Sequence, residues 1–169
     1  SNVNIPDNNL KIKFMSTKTK EDINFASKVS ADYLALSFIS GVDDVLDVND
    51  LLIECGNDHT AIISKIENEQ ALEELDEILN ISEGIIIARS DLGTELPIER
   101  IPGIQKRIIN KCHLKGKTSI VSTDIFTDSI DAPSRAEVSD IANAVLDGTD
   151  AVILGINPVY NDNSIDVLD

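Results

Sequence analysis

Ile85 to Gly93 reads IIIARSDLG, and this stretch decides the fold. Three consecutive isoleucines make a short, wholly apolar run, the mark of a strand covered on both faces. The run then ends abruptly in Arg89, Ser90 and Asp91. In a parallel α/β sheet, ligands bind beyond the carboxyl ends of the strands, so a buried strand that runs straight into charge points to such an end.

The neighbouring segments repeat the theme. Residues 68–80, NEQALEELDEILN, place Leu72, Leu75, Ile78 and Leu79 on one helical stripe. Before them, TAIISKI (60–66) predicts a strand, VDDVLDVNDLLIECG (42–56) a helix stopping at Gly56, ADYLALSF (31–38) a strand and TKEDINFASKV (19–29) a helix. Downstream, RIPGIQKRIINKCHLKG (100–116) predicts a helix closed by Gly116, and TSIVST (118–123) a strand. SRAEVSDIANAVLDG (134–148) predicts a helix with Ser134 as N-cap and Gly148 past its end, and DAVILGI (150–156) a last strand. Residues 1–15 read as an extended lead-in. Five strands, each preceded by a helix, predict one α/β domain over 1–169 with a parallel sheet and right-handed crossovers. The alternation alone leaves open whether the sheet is flat or part of a barrel.

Composition narrows the function. The 169 residues suffice for one real core. A formal charge of −16 argues against nucleic acid and against anionic membrane surfaces as partners. No apolar run reaches the ~20 residues of a membrane span, and no signal peptide opens the sequence, so the expected location is cytoplasmic. The two cysteines, Cys55 and Cys112, read as free thiols of a reducing compartment. His59 reads as a surface turn residue, and His113 as a favourable charge near a helix C-terminus.

Read together, the strand ends are Ser37-Phe38, Lys65 with Glu67, Arg89 to Asp91, Thr123-Asp124 and Gly155 to Asn157. Lys65 and Glu67 are two apart on a strand and so share a face, and Asp91 ends the next strand. Two carboxylates and an ammonium suit a hard divalent cation beside a phosphoryl group. Spacing alone leaves this reading level with a set of solvated strand-end charges. Arg89 is equally open between supporting such a site and pairing with a neighbouring acid.

The wording of the motifs goes further. IISKIEN, ARSDLGTELP, IQKRIINKC and RAEVSDIANAVLDGTDAVIL resemble pyruvate kinase, in consistent order from about residue 2 to Leu154. The resemblance implies about five of the eight strands of a TIM (β/α)₈ barrel, without the family's lid domain or C-terminal effector domain. It implies transfer of a phosphoryl group from phosphoenolpyruvate to ADP, giving pyruvate and ATP in glycolysis, with Mg²⁺ as cofactor and K⁺ as a further candidate. Lys65 resembles the lysine that stabilises the phosphoryl group in flight. Glu67 and Asp91 resemble the Mg²⁺ ligands, and Thr123 the threonine near the enolate. The backbone amides of Ser90 and Asp91, at the start of a short helix, resemble those that hold the substrate carboxylate.

The sequence also departs from the family. Ser90 replaces the glycine of ARGDLG; a positive φ there would cost about 1–2 kcal/mol, and an ordinary φ would place a hydroxymethyl group near the carboxylate site. Asp124 replaces a glutamine, and Gly155 to Pro158 (GINP) replaces SGET. Five strands leave two unpaired edges, so the chain is expected to be part of a longer polypeptide or covered by a partner. Two readings follow. The chain acts in Mg²⁺-dependent phosphoryl transfer within a larger homo- or hetero-oligomeric pyruvate kinase assembly. Alternatively it is a catalytically dead subunit, a pseudoenzyme, that stabilises or regulates an intact pyruvate kinase.

Overall fold

The computed structural model describes residues 14–122 and 134–153. The expectations for the lead-in before residue 14, for Thr123 and Asp124 and for GINP lie outside them.

The predicted alternation is present. Helix α1 (Thr17–Lys28) leads to β1 (Tyr33–Leu36), α2 (Val42–Glu54) to β2 (Ala61–Ile66), and α3 (Glu69–Glu73) with α4 (Leu75–Ile81) to β3 (Gly84–Ala88). Strand β3 passes directly into α5 (Arg89–Glu95); a 3₁₀ turn (Ile98–Arg100) and α6 (Ile101–Lys115) then lead to β4 (Thr118–Ser122), and α7 (Arg135–Leu146) to β5 (Ala151–Ile153). All neighbouring strands pair in parallel, in the order β1-β2-β3-β4-β5. Strands at sequential positions, each reached through a helix, are what right-handed βαβ crossovers produce.

The ends of the elements follow local chemistry. Ser134 caps α7 in a capping box with Glu137, so two backbone donors at the helix start are satisfied reciprocally. Gly116 ends α6 at φ +64°, a left-handed conformation that costs a side chain and not glycine. One expectation changes in detail: residues 68–80 form two short helices, α3 and α4, not one. The break falls at Glu74, with φ −93° and ψ 20°. Its carboxylate accepts the N–H of Val42 at 2.8 Å, capping α2 in place of a side chain at the N-cap, Gly41. A tertiary contact thus interrupts a locally helical sequence.

The helices pack on one face of the sheet. Ile62, Ile66, Ile85, Ile87 and Val121 join Leu52, Leu75, Leu79, Ile104, Ile108 and Cys112 in one buried cluster. Ile63 and Ile86 are also buried, yet they stand outside that cluster because side chains alternate across a strand. Gly84 lies between Ile63 and Thr118 in the paired register. A Cβ on Gly84 would meet the Thr118 carbonyl oxygen at 2.8 Å and Ile63 Cδ1 at 3.1 Å. Backbone in the middle of a sheet cannot retreat, so Gly84→Ala is expected to lower stability by about 1–3 kcal/mol. An unchanged urea midpoint would contradict this packing. No helix among the described residues is long and apolar enough to cross a membrane.

Candidate active site

Parallel pairing brings the strand ends to one side. Leu36 pairs with Ser64, so one step further Ser37 comes level with Lys65. Lys65 and Glu67 share a face, as their spacing requires, and their side chains meet: Lys65 Nζ is 2.5 Å from Glu67 Oε1. Lys65 also donates to Ser37 Oγ at 2.9 Å. The Glu67 side chain is only 1 % exposed, that of Lys65 25 %. Burying a lone carboxylate costs several kcal/mol, and the ammonium offsets that here.

The two oxygens of Glu67 differ. Oε2 accepts the backbone N–H of Phe38. Oε1 is buried and, among the described residues, has no aligned hydrogen-bond donor: the Lys65 ammonium is close enough to be an ion pair but lies off the hydrogen-bonding direction. A buried, anionic, under-coordinated oxygen is the donor a hard cation such as Mg²⁺ selects. The ammonium stands where that charge would go. Because Lys65 is partly exposed and already held by Ser37, it can give up Oε1 without losing every partner. The donor set therefore fits Mg²⁺, provided further oxygens complete the shell.

Asp91 lies in the first turn of α5, one strand over and directly after β3. Among the described residues its carboxylate makes no salt bridge, and no three His, Cys, Asp or Glu side chains converge as a metal-ligand cluster. The structure thus joins Lys65 and Glu67 closely and sets Asp91 at the adjacent strand end without contact. Thr123 lies outside the described residues.

Ser90 resolves one of the two alternatives for this position. It sits in α5, and the only described non-glycine residues with positive φ are Ser30 and Phe38. The replacement of glycine therefore carries no left-handed strain. The hydroxymethyl group lines a cleft of about 450 Å³ bounded also by Arg89, Ile98, Ile101, Glu137 and Asp140.

Arg89 is likewise settled. Its guanidinium donates to both oxygens of Asp140, at 2.6 and 2.5 Å, and its Nε donates to the Ser122 carbonyl at 3.1 Å. The arginine is a strut between the end of β3, the end of β4 and α7, and makes no contact with Glu67 or Lys65. Its partner is 51 residues away, so no local sequence pattern could have identified it. Helix α7 buries little else, with Ala144 its only fully buried residue. Asp140→Ala is therefore expected to cost about 2 kcal/mol, in the range for hydrogen bonds to charged groups, and to speed amide exchange in α7 selectively. Unchanged protection of α7 would contradict the strut.

The remaining candidates fall elsewhere. His59 is exposed in its turn. His113 meets the Gly148 carbonyl at 2.7 Å, while its neighbour Cys112 points into the core, where burial pushes the thiol up to about 11. Both cysteines are free. Residues that sequence reasoning left without a role are Ser37 and Phe38, which hold the Lys65–Glu67 pair; their signal was position at a strand end, level with Lys65.

Comparison with known proteins supplies the lineage. Residues 1–159 match the family description "Pyruvate kinase, barrel domain". The pyruvate kinase of Clostridium acetobutylicum is 43 % identical over 154 residues, covering 90 % of this chain and 33 % of that protein. That of Sporosarcina psychrophila is 41 % identical over 173 residues, covering 97 % and 29 %. That of Thermococcus litoralis is 46 % identical over 156 residues, covering 90 % and 32 %. The chain thus spans about a third of the length of the curated relatives it matches, and its five parallel strands are part of a TIM-type barrel. With the family match running through most of the sequence, this chain belongs to the pyruvate kinase family.

Proposed function

We propose that this chain supplies the phosphoryl-transfer face of a pyruvate kinase active site and is competent only within a completed barrel. The reaction is transfer of the phosphoryl group of phosphoenolpyruvate to ADP, giving pyruvate and ATP. The observation that carries the reading is the buried Glu67 carboxylate, with one oxygen fixed by backbone and the other lacking an aligned donor beside the Lys65 ammonium.

In this reading Glu67 and Asp91 hold Mg²⁺, with substrate and water completing its shell. Bound there, Mg²⁺ would neutralise charge on the oxygens of the transferring group. Lys65 adds a second positive charge, oriented by Ser37. The backbone amides of Ser90 and Asp91, in the first turn of α5, take the substrate carboxylate in this reading, as the family resemblance implies. Thr123, near the enolate, rests on the family resemblance alone, and a K⁺ site would be completed by residues outside this sequence. Residues 1–169 act as one domain, with lid and effector domains supplied from outside it. A cytoplasmic assembly would keep Cys55 and Cys112 reduced.

A second reading has its own support. The edge strands β1 and β5 carry exposed apolar side chains, Tyr33 at 69 % and Ile153 at 41 %, which suit a subunit whose role is to dock. Such a chain would be a catalytically dead structural or regulatory subunit of an intact pyruvate kinase. Pyruvate formation by the assembly as isolated, wild type against Lys65→Met, separates the two: lost turnover supports chemistry on this chain, and unchanged turnover supports docking alone.

A further inference from the structure

Phe38 stands out because three facts about it do not fit a structural role. Its φ is +59°, a left-handed conformation that costs an L-residue with a bulky side chain. The residue is 59 % exposed, so burial of its side chain does not impose that conformation. Its N–H is donated to Glu67 Oε2, on a carboxylate that is almost fully buried. Strain of this sort persists where the surroundings hold it in place, and it clusters at working sites.

We infer that Phe38 is a positioning residue: its left-handed backbone aims its N–H at Glu67 Oε2 and leaves Oε1 as the single oxygen presented for a divalent cation. The inference rests on the reading of Glu67 as a cation ligand. Two neighbours complete the device. Ser37 Oγ, one residue earlier in the same turn, accepts from Lys65, so the turn orients both members of the ion pair. Ile39, one residue later, is fully buried, and its carbonyl accepts Asn68 Nδ2 at 2.8 Å. Asn68 in turn caps α3 by accepting the N–H of Ala71. The strained peptide is thus pinned on its far side by the segment that follows Glu67. Hydrogen bonds to the far oxygen of a ligating carboxylate fix its orientation before metal arrives.

The role belongs to the backbone and not to the ring, which makes it testable. Valine resists positive φ more strongly than phenylalanine, whereas glycine adopts it freely. The readout is Mn²⁺ affinity by electron paramagnetic resonance, on the assembly as isolated. Phe38→Val is expected to weaken binding about tenfold, at the lower end of what losing a ligand's orienting hydrogen bond costs. Phe38→Gly is expected to retain affinity within about threefold. If Phe38→Val does not fold, Phe38→Thr presents the same branched constraint with a polar end. Equal losses in the glycine and branched variants would assign the effect to the ring and overturn the inference. Unchanged affinity in the branched variants, with affinity lost in Glu67→Gln, would overturn it alone. Unchanged affinity in Glu67→Gln would instead remove the cation-ligand reading on which it rests.

Discussion

Lys65→Met is expected to lower the turnover of pyruvate formation by about a thousandfold in the assembly as isolated, while the KM for phosphoenolpyruvate moves far less. The argument is differential binding. The Lys65 ammonium is anchored on Ser37 Oγ before substrate arrives and keeps that anchor when it gives up Glu67 Oε1, so little reorganisation is left when charge develops on the transferring phosphoryl oxygens. A preorganised charge of this kind acts mainly in the transition state, and removing one such contact typically costs 10²- to 10³-fold in turnover. Methionine retains the length and apolar stem and removes only the charge. Lys65→Arg should not restore activity, because a planar fork cannot replace a compact ammonium at this point. A coupled assay of pyruvate release checks the result, and turnover within twofold of wild type would contradict chemistry on this chain.

Glu67→Gln is expected to weaken divalent-cation binding by at least about a hundredfold, and Asp91→Asn comparably. Glutamine keeps the volume and one oxygen, so the packing around Ile66 and Phe38 is preserved while the anionic charge is lost. Mg²⁺ selects hard anionic oxygens, and the attraction between a buried carboxylate and a divalent cation is large because little water screens it. The fold should survive the change, since Lys65 is partly exposed and keeps Ser37 as a partner. Asp91 is the sharper test, because among the described residues its carboxylate makes no salt bridge and so has no structural pairing to lose. A loss in both variants would show the two carboxylates acting on one ion. Calorimetric Mg²⁺ titration measures it, and unchanged affinity in both would remove the metal assignment.

Most of the architecture was legible because each element announces its own period. The strand segments at 62–66 and 85–88 are short and rich in isoleucine, and the stripe through Leu72, Leu75, Ile78 and Leu79 repeats at helical spacing. Helix ends were legible where the cap is local: Ser134 with Glu137 at the start of α7, Gly116 at the end of α6. The break at Glu74 was not, because its cause is a hydrogen bond to Val42, 32 residues away. The candidate site divides in the same manner. Lys65 and Glu67 could be paired from a spacing of two on a strand, and Asp91 placed at the next strand end. The partnership of Arg89 with Asp140 and the aim of the Phe38 N–H depend on tertiary register and on one backbone dihedral, and neither leaves a mark in the residue order. Family wording supplied the roles of Ser90, Asp91 and Thr123, which spacing alone does not give.

If these five strands function as part of a completed pyruvate kinase barrel, native mass spectrometry of the particle that carries this sequence, isolated from its own cells, should find the sequence joined, covalently or through a partner subunit, to the remaining strands of such a barrel. A stable, free 18.4 kDa monomer as the sole species would contradict it.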